Sequence, residues 1–430
     1  MQIYAILALF LSFLGGSHLM NCRFRRTKLA CYATNISMSV ISNFPPLLFL
    51  TFRALYRISY SLLGLLVLVN FCTQLAVDLI FSFFSHKFNI PLTVKFTPVL
   101  SVLGLLLFAA APVLFPANVY LGLVLGTIVF SASSGLAEVL ISPVIAAIPA
   151  ENPEHEMSKL HSIYAWGVVF VILVSTLFLL FLDAKYWQIL SLLFALVPLT
   201  AAILFAGAKI PAMETPERVS GALTLLKNKG LWLCIAAIFL GGASECTMAQ
   251  WGSGYLEQAL GIPKAWGDIF GVAMFAVMLG LGRSLYAKYG KSIEKFLFWS
   301  AVGATLCYFT AAVSPFPLLG LIACGLTGFC TAMMWPGALI IGSDRFPSGG
   351  VFIYAIMAAG GDLGASVGPQ LVGIITDTVA ANASAASLAQ TLSLTPEQLG
   401  MKLGMLVGML FPLFAIAVFA RIRHTAKKAK

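Results

Sequence analysis

Charged residues are scarce in this sequence: only 10% of its 430 residues are Asp, Glu, Lys or Arg, whereas 60% are hydrophobic. A water-soluble globular protein carries about 25% charged residues, so the composition excludes that class. The apolar runs are long and do not alternate with polar residues, which excludes a closed β-barrel and favours membrane-spanning helices. The sequence therefore predicts an all-α membrane protein with many spans.

Motifs of soluble enzymes are also absent. His155 and Glu156 are followed by Met-Ser-Lys, so the HExxH zinc motif is missing, and Leu285 stands where a phosphate-binding loop ending at 290–292 (GKS) requires glycine. None of the eight cysteines shows CxxC spacing, and most lie inside apolar runs, which is typical of small core residues. We therefore expect no enzyme, no catalytic residue, no metal and no cofactor.

Twelve apolar segments after residue 28 match or exceed the ~20 residues that a bilayer requires. Numbered in order as spans 1–12, they cover about 29–51, 60–84, 93–113, 117–148, 158–182, 186–206, 230–257, 265–289, 293–312, 316–344, 349–379 and 397–421. The polar stretch 208–229 follows span 6 and predicts a linker between two pseudo-symmetric six-helix halves, 29–207 and 230–422. Residues 1–28 form an apolar extension and a basic segment, and 423–430 form a basic tail.

The apolar segment 1–18 stands apart from this plan. Its start has no positive charge, so it does not fit a signal peptide, whereas an extra span and a spurious extension both fit it. Met20 is followed by a basic segment and then by span 1. We therefore expect Met20 to be the functional start and residues 1–19 to be dispensable.

The distribution of Lys and Arg predicts the orientation. With the basic segment 23–28 placed inside, 21 of the 26 Lys and Arg residues fall on the inner side and 5 on the outer side. Cytoplasmic loops carry such an excess, so we expect a cell (inner) membrane protein with both termini in the cytoplasm. The net charge of +10 is a consequence of this excess of Lys and Arg in the inner loops. No basic block is interleaved with aromatic residues, as nucleic-acid binding would require.

Short matches between the halves predict an internal repeat. The matched second-half positions lie 193 residues after those of the first half: Gly328–Pro336 (GFCTAMMWP) after Gly135–Pro143 (GLAEVLISP), Tyr354 after His161, and Gly360 after Gly167. After spans 2 and 8, residues 86–89 (HKFN) match 287–290 (AKYG). Repeated halves are typical of secondary transporters.

This pattern resembles the major facilitator superfamily. Gly282–Lys291 (GRSLYAKYGK) is similar to the basic signature that follows an even-numbered helix in that family, although in the first half His86 and Asn89 replace its usual Asp and Gly. Glu138 in span 4 also resembles a glutamate of fucose-permease-like proton symporters, but span 1 lacks the acid that those proteins carry there. The resemblance implies a major facilitator fold and transport by alternating access.

Three carboxylates, Glu138, Glu245 and Asp362, lie near the middle of predicted spans, and we expect no Lys or Arg at their depth. A carboxyl group held away from water is readily protonated, which suits proton coupling. The structural alternative is a protonated carboxyl bonded to a neighbouring helix. For Asp362 the glycines at 360, 364 and 368 support this alternative, because they invite close helix packing.

In the family that the chain resembles, spans 1, 4, 7 and 10 line the central cavity. Carried over to this sequence, the solute contacts are Asn35, Asn43, Glu138, Ser142, Glu245, Gln250, Trp251 and Trp335. Amides and indoles suit a polar solute with an apolar face, such as a sugar, and the alternative for the tryptophans is an interfacial belt.

Several polar residues toward the cytoplasmic side fit gating contacts better than solute binding. Asp78 could pair with His86 or Lys87, and His161 could meet the acids after span 4. The predicted gating residues are Asp78, Lys87, His161, Arg283 and Lys288.

Together these observations predict a secondary active transporter that moves a small polar, sugar-like solute by proton-coupled symport. Its partners would be the solute, the proton and the lipid bilayer, and the protein would be a monomer. The alternatives are a proton-driven efflux antiporter of amphipathic compounds, which Met333 and Met334 would suit, and a non-transporting receptor.

Overall fold

The computed structural model describes residues 24–84, 87–150, 153–211, 222–346 and 350–429, which contain helices and no strand. Among these residues ten helices are long and apolar enough to cross a membrane, and the number rises to twelve if each of two bent helix pairs counts as one span. The predicted all-α class with twelve spans is thereby confirmed. The expectation for residues 1–19 lies outside the described residues.

The observed helices extend most predicted spans by a few residues. Spans 1–6 are Arg25–Leu47 with Phe49–Tyr56, Tyr60–Phe84, Ile90–Leu114, Val119–Ala146, Pro153–Phe181 and Trp187–Ala206. Spans 7–12 are Lys229–Gln258, Lys264–Gly267 with Asp268–Ala273 and Met274–Tyr289, Ile293–Val313, Pro317–Thr331 with Met334–Arg345, Gly350–Ala380, and Pro396–Gly408 with Leu410–Ala429. Three short helices, Ala184–Tyr186, Ala222–Lys227 and Ala383–Thr391, lie between spans.

We call spans 1–6 the first half and spans 7–12 the second half. The side of the bundle at which span 1 begins and span 12 ends is the terminal side, and the other is the far side. The predicted linker 208–229 includes residues 212–221, which lie outside the described residues, so the exact domain boundaries stay a prediction.

Prolines explain where two spans bend or break. Span 1 bends by 48° at Leu48, immediately after two prolines inside its first helix. Span 10 is broken at Ala332, where the helix ends four residues before Pro336. Proline has no N–H to donate to the carbonyl four residues earlier, so the Ala332 carbonyl loses its helical partner. The equivalent Pro143 in span 4 leaves the helix continuous.

The internal repeat reappears in the helix contacts. Gly135 packs closely on span 2, and its repeat partner Gly328 packs on span 8. In the same way Gly167 packs on span 1 and Gly360 packs on span 7. Glycine at these positions lets the two backbones approach, since a Cβ atom there would meet the neighbouring helix.

Span 11 lies between span 7 and span 2. Its glycines at 360, 364 and 368 all face span 7 at distances that leave no room for a Cβ atom, which confirms the close packing expected around Asp362. On another face of the same helix, Gly373 packs against the backbone of Tyr60 in span 2. Span 11 therefore carries the main helix contact between the two halves.

The polar contacts that join the halves lie between the middle of the bundle and the far side. Among the described residues they include the Tyr60 and Ser61 N–H groups donating to Asp377 at 3.1 and 2.6 Å, the Arg53–Glu397 ion pair at 3.6 Å, Thr176 donating to Asp268 at 3.2 Å, and Gln250 donating to the Ser42 carbonyl at 3.2 Å. The halves are therefore held together at the far side.

At the terminal side the described ion pairs stay within one half. Lys28 at the start of span 1 pairs with Glu156 before the membrane segment of span 5, at 3.1 Å, and Tyr32 donates to the same carboxylate at 3.0 Å. Partial burial by itself would raise the pKa of Glu156, but the hydrogen bonds from Lys28 and Tyr32 and the charge of Lys28 lower it overall. This carboxylate is therefore ionised at neutral pH, and the pair fixes span 1 to span 5.

Candidate solute and proton site

Glu138 lies well inside span 4, yet its side chain is exposed. Its charge acts on Asp78 of span 2, on Tyr164 of span 5 and on Asp362 of the second half, so it faces the space between the halves. No cation is paired with it among the described residues. Ser142, one helical turn later, is half-buried on the same helix.

Asp78 and Asp362 are two further acids within electrostatic range of Glu138. Both aspartates are buried, and each has one carboxylate oxygen without a hydrogen-bond partner among the described residues. The expected pair between Asp78 and Lys87 is wrong, because Lys87 is exposed and stands over the Phe84 ring at 5.1 Å. A helix end near water leaves a lysine free to turn outward, away from a buried acid.

The structure shows less about the remaining gating candidates. His86 and the side chain of His161 lie outside the described residues, so their expected contacts stay predictions. Lys288 is exposed over the ring of Tyr289 at 5.2 Å.

Glu245 in span 7 is paired with Arg283, whose Nη2 atom lies 3.4 Å from the carboxylate. The expectation of no cation at this depth is therefore wrong, because Arg283 lies inside span 8, which continues to Tyr289 as predicted. Arg283 also donates from Nε to the Ala332 carbonyl at 3.0 Å. The guanidinium thus satisfies both a mid-span carboxylate and the carbonyl that Pro336 leaves free in span 10.

Tyr164 is a central residue that the sequence reasoning missed. Its hydroxyl is hydrogen-bonded to Ser42 of span 1 and lies within electrostatic range of both Glu138 and Glu245. It therefore lies near an acid of each half. The available signal was its place in 161–167 (HSIYAWG), a segment that takes part in the internal repeat.

Two of the three predicted amides link different helices. Asn35 donates to the Leu160 carbonyl of span 5 at 2.6 Å, and Asn43 donates within span 1 to the Ser39 carbonyl at 2.9 Å. Gln250 crosses the boundary between the halves to the Ser42 carbonyl and is 5% exposed. Of the three, only Gln250 joins residues from both halves.

The two predicted tryptophans are packed against protein. Trp251 is completely buried, donates to the Pro369 carbonyl at 2.8 Å and contacts the Phe49 ring edge-on, so it forms neither an interfacial belt nor a cavity wall in this conformation. Trp335 follows the break in span 10 and packs between Gly242 and Gly361, with part of its surface accessible.

A small cavity of about 10 Å³, room for about one water molecule, lies between spans 1, 2, 4 and 7. Its polar lining is Ser42, Asn70, Thr127 and Gln250, and the rest is apolar, including Pro45, Pro46, Phe49 and Phe130. The Thr127 hydroxyl has no hydrogen-bond partner among the described residues. Ser42 belongs both to this lining and to the surroundings of Tyr164.

Such an arrangement, with paired helical halves and an ionisable network between them, defines a membrane transporter and not an enzyme. The sequence profile of the Major Facilitator Superfamily matches residues 30–369. The chain therefore belongs to that superfamily. None of the curated proteins matches the sequence.

Solved structures share the fold at low sequence identity. A bacterial homologue of the human lysosomal transporter Spinster, inward-facing and occupied, superposes with a TM-score of 0.69 at 12% identity, over 94% of this chain and 98% of that one. A D-xylose–proton symporter gives 0.65 at 16%, over 90% and 95%. The transporter FucP in the outward conformation gives 0.56 at 15%, over 90% and 97%.

Proposed function

We propose that this transporter moves a small polar, sugar-like solute by proton-coupled symport through alternating access. The observation that carries the proposal is Glu138, an exposed carboxyl inside span 4 that faces the space between the halves without a paired cation among the described residues. A protonated Glu138 is a neutral hydrogen-bonding group, whereas an ionised one needs water or a donor. The return of the empty carrier would therefore depend on whether this group holds a proton.

The sugar-like solute is supported by the residue types that line the small cavity, which must widen during alternating access to admit a solute. Hydroxyl and amide groups from Ser42, Asn70, Thr127 and Gln250 stand among apolar side chains, a combination that suits a solute with hydroxyl groups and an apolar face. Two structural neighbours are described as a D-xylose–proton symporter and a fucose:proton symporter, which agrees with this class of solute.

The efflux alternative loses part of its support. Met333 and Met334, which would suit amphipathic compounds, are 5% and 0% exposed at the break of span 10 and do not line the cavity in this conformation. The transport experiment described next therefore distinguishes symport from efflux and from a receptor role.

We expect purified protein in proteoliposomes to accumulate a sugar when the outside is made acidic, because proton entry drives symport. The measurement is uptake of a panel of radiolabelled sugars, organic acids and amphipathic drugs, with and without the imposed pH gradient. Protein-free vesicles and vesicles treated with a proton ionophore are the controls. Accumulation that needs the opposite gradient would indicate efflux, and binding without accumulation would indicate a receptor.

We infer that the terminal side is cytoplasmic and that the protein acts as a monomer in the cell membrane. The predicted orientation rests on the excess of Lys and Arg on that side, which stands although Arg283 lies inside span 8. Single cysteines introduced at Ser220 and Gln390 should differ in intact cells, because only position 390 would face outward. A membrane-impermeant maleimide should label position 390, and position 220 only after lysis. Labelling of position 220 in intact cells would contradict this orientation.

A further inference from the structure

Arg283 is a cation inside span 8 whose side chain is 43% exposed. It lies six residues before the helix ends at Tyr289, which is about 9 Å along the helix axis. The exposed side chains of Leu281 and Leu285 mark the face of span 8 that meets lipid. At 3.6 residues per turn, Arg283 lies about 160° around the helix from each of these leucines. Its guanidinium is therefore exposed toward the inside of the bundle and not toward lipid.

Two contacts hold this guanidinium and leave one edge of it unused. Nε donates to the Ala332 carbonyl of span 10 at 3.0 Å, and Nη2 lies 3.4 and 3.5 Å from the two carboxylate oxygens of Glu245 in span 7. The Nη1 atom, which carries two more N–H groups, has no hydrogen-bond partner among the described residues. The planar fork of arginine matches a carboxylate through two parallel hydrogen bonds. Spans 7, 8 and 10 thus present an anchored guanidinium with donors available to a ligand.

The charges around Arg283 favour a ligand with a single negative charge. Glu245 is 17% exposed and already compensates part of the positive charge of the guanidinium. The next cation of span 8, Lys288, stands over the ring of Tyr289 at 5.2 Å, near the helix end. One partly compensated guanidinium suits a carboxylate better than a phosphate monoester, which carries about two negative charges.

We propose that Arg283 binds the carboxylate of an acidic sugar or of a related hydroxy acid. The inference rests on the proposed function for the movement of this solute, whereas its binding can be measured without transport. The carboxylate of the solute replaces Glu245 on the guanidinium, and Nε keeps its contact with the Ala332 carbonyl. Trp335, three residues after Ala332, is partly accessible, and an indole ring suits the apolar face of a sugar.

The site is tested by isothermal titration calorimetry on the purified full-length protein in detergent, without a pH gradient. The probes are D-glucuronate, D-galacturonate and D-gluconate, compared with D-glucose, D-galactose and sorbitol, which have a hydroxymethyl group in place of the carboxylate. We expect at least one acid to bind at least about tenfold more tightly than its neutral counterpart, the ratio expected of a hydrogen bond to a charged group.

Two variants should change this preference in opposite directions. Arg283→Gln should bind the acid and its neutral counterpart equally. Glu245→Gln should bind the acid several times more tightly than the wild type does, because the competing carboxylate is gone. The matched control is Arg421→Gln, which changes an exposed arginine in span 12 and should keep the wild-type preference. If Arg283→Gln does not fold, Glu245→Gln decides alone, since a purely structural role of the ion pair predicts no gain in affinity.

Several outcomes would overturn the carboxylate site. They are a preference for the acid that persists in Arg283→Gln, acid binding in Glu245→Gln that is no tighter than in the wild type, no binding of any acid in either protein, and tighter binding of glucose 6-phosphate than of D-glucuronate. The proposed function fails separately. Acid binding that depends on Arg283, in a protein that accumulates nothing under a pH gradient, supports the site and contradicts symport. Proton-driven accumulation of neutral sugars without acid binding supports symport and overturns the site.

Discussion

Replacing Glu138 by Gln should abolish solute accumulation driven by a pH gradient while leaving folding and solute binding intact. Gln has nearly the shape of a protonated Glu but cannot release a proton, so the carrier would be fixed in the protonated state. We expect accumulation in proteoliposomes to fall more than tenfold, toward simple equilibration. Exchange of labelled for unlabelled solute across the membrane should continue, because exchange does not require the empty carrier to return.

The matched control for this prediction is Glu245→Gln. Glu245 is also an acid inside a span, but it is already paired with Arg283 at 3.4 Å, so its charge is compensated in the protein. Its neutral variant should keep proton-driven accumulation better than Glu138→Gln does. If Glu138 has only a structural role, Glu138→Gln should preserve accumulation and Glu138→Ala should mainly lower stability. Normal proton-driven accumulation in Glu138→Gln would exclude Glu138 as the coupling group.

The second large effect is expected on stability, at Arg283. Arg283→Ala removes the partner of Glu245 and the donor to the Ala332 carbonyl, which leaves two polar groups unsatisfied inside the bundle. Breaking a fully buried ion pair costs about 3–5 kcal/mol. Because the Arg283 side chain is 43% exposed, we expect about 1–3 kcal/mol after allowing for solvent screening. The measurement is thermal unfolding in detergent, with the monodisperse fraction on gel filtration as the readout at each temperature.

Two further variants separate the contributions of Arg283. Arg283→Ala/Glu245→Gln should recover part of the loss, because no unpaired carboxylate remains, and the unrecovered part reports the Ala332 carbonyl. Arg53→Ala is the comparison for a pair with a more exposed carboxylate: Arg53 and Glu397 are 3.6 Å apart, and Glu397 is 36% exposed against 17% for Glu245, so a change of ~0–1 kcal/mol is expected. An equal loss in Arg53→Ala and Arg283→Ala would show that the burial of Glu245 contributes nothing.

The fold could be predicted because, in a bilayer, the composition and the length of an apolar segment largely determine whether it forms a spanning helix. Without water to satisfy the backbone, apolar runs of span length must become helices, and every predicted span falls on one. The repeat was equally readable, since Gly135 and Gly328 occupy matching positions and make matching contacts with spans 2 and 8. The glycines around Asp362 predicted close packing for the same reason.

The partners inside the bundle could not be predicted in this way. Distance along the chain does not tell which helices lie side by side, so Arg283 was predicted as a gating residue and its approach to Glu245 was not foreseen. Arg283 reaches the Ala332 carbonyl because the break in span 10 before Pro336 frees that carbonyl toward span 8. The break is visible only in the tertiary structure, so this contact could not be predicted. Tyr164 was missed because tyrosine in an apolar helix is common and only its position between two acids distinguishes it.

By itself the sequence determined the membrane class, the spans, the repeat and the presence of acids inside spans, because these follow from hydropathy, residue counts and glycine and proline spacing along one chain. The tertiary structure alone decided how the acids differ: Glu138 is exposed between the halves, Glu245 is paired, and Asp362 is buried in span 11. The physical reason is that the state of an ionisable group depends on the charges and water around it, and these are brought by helices far away in sequence.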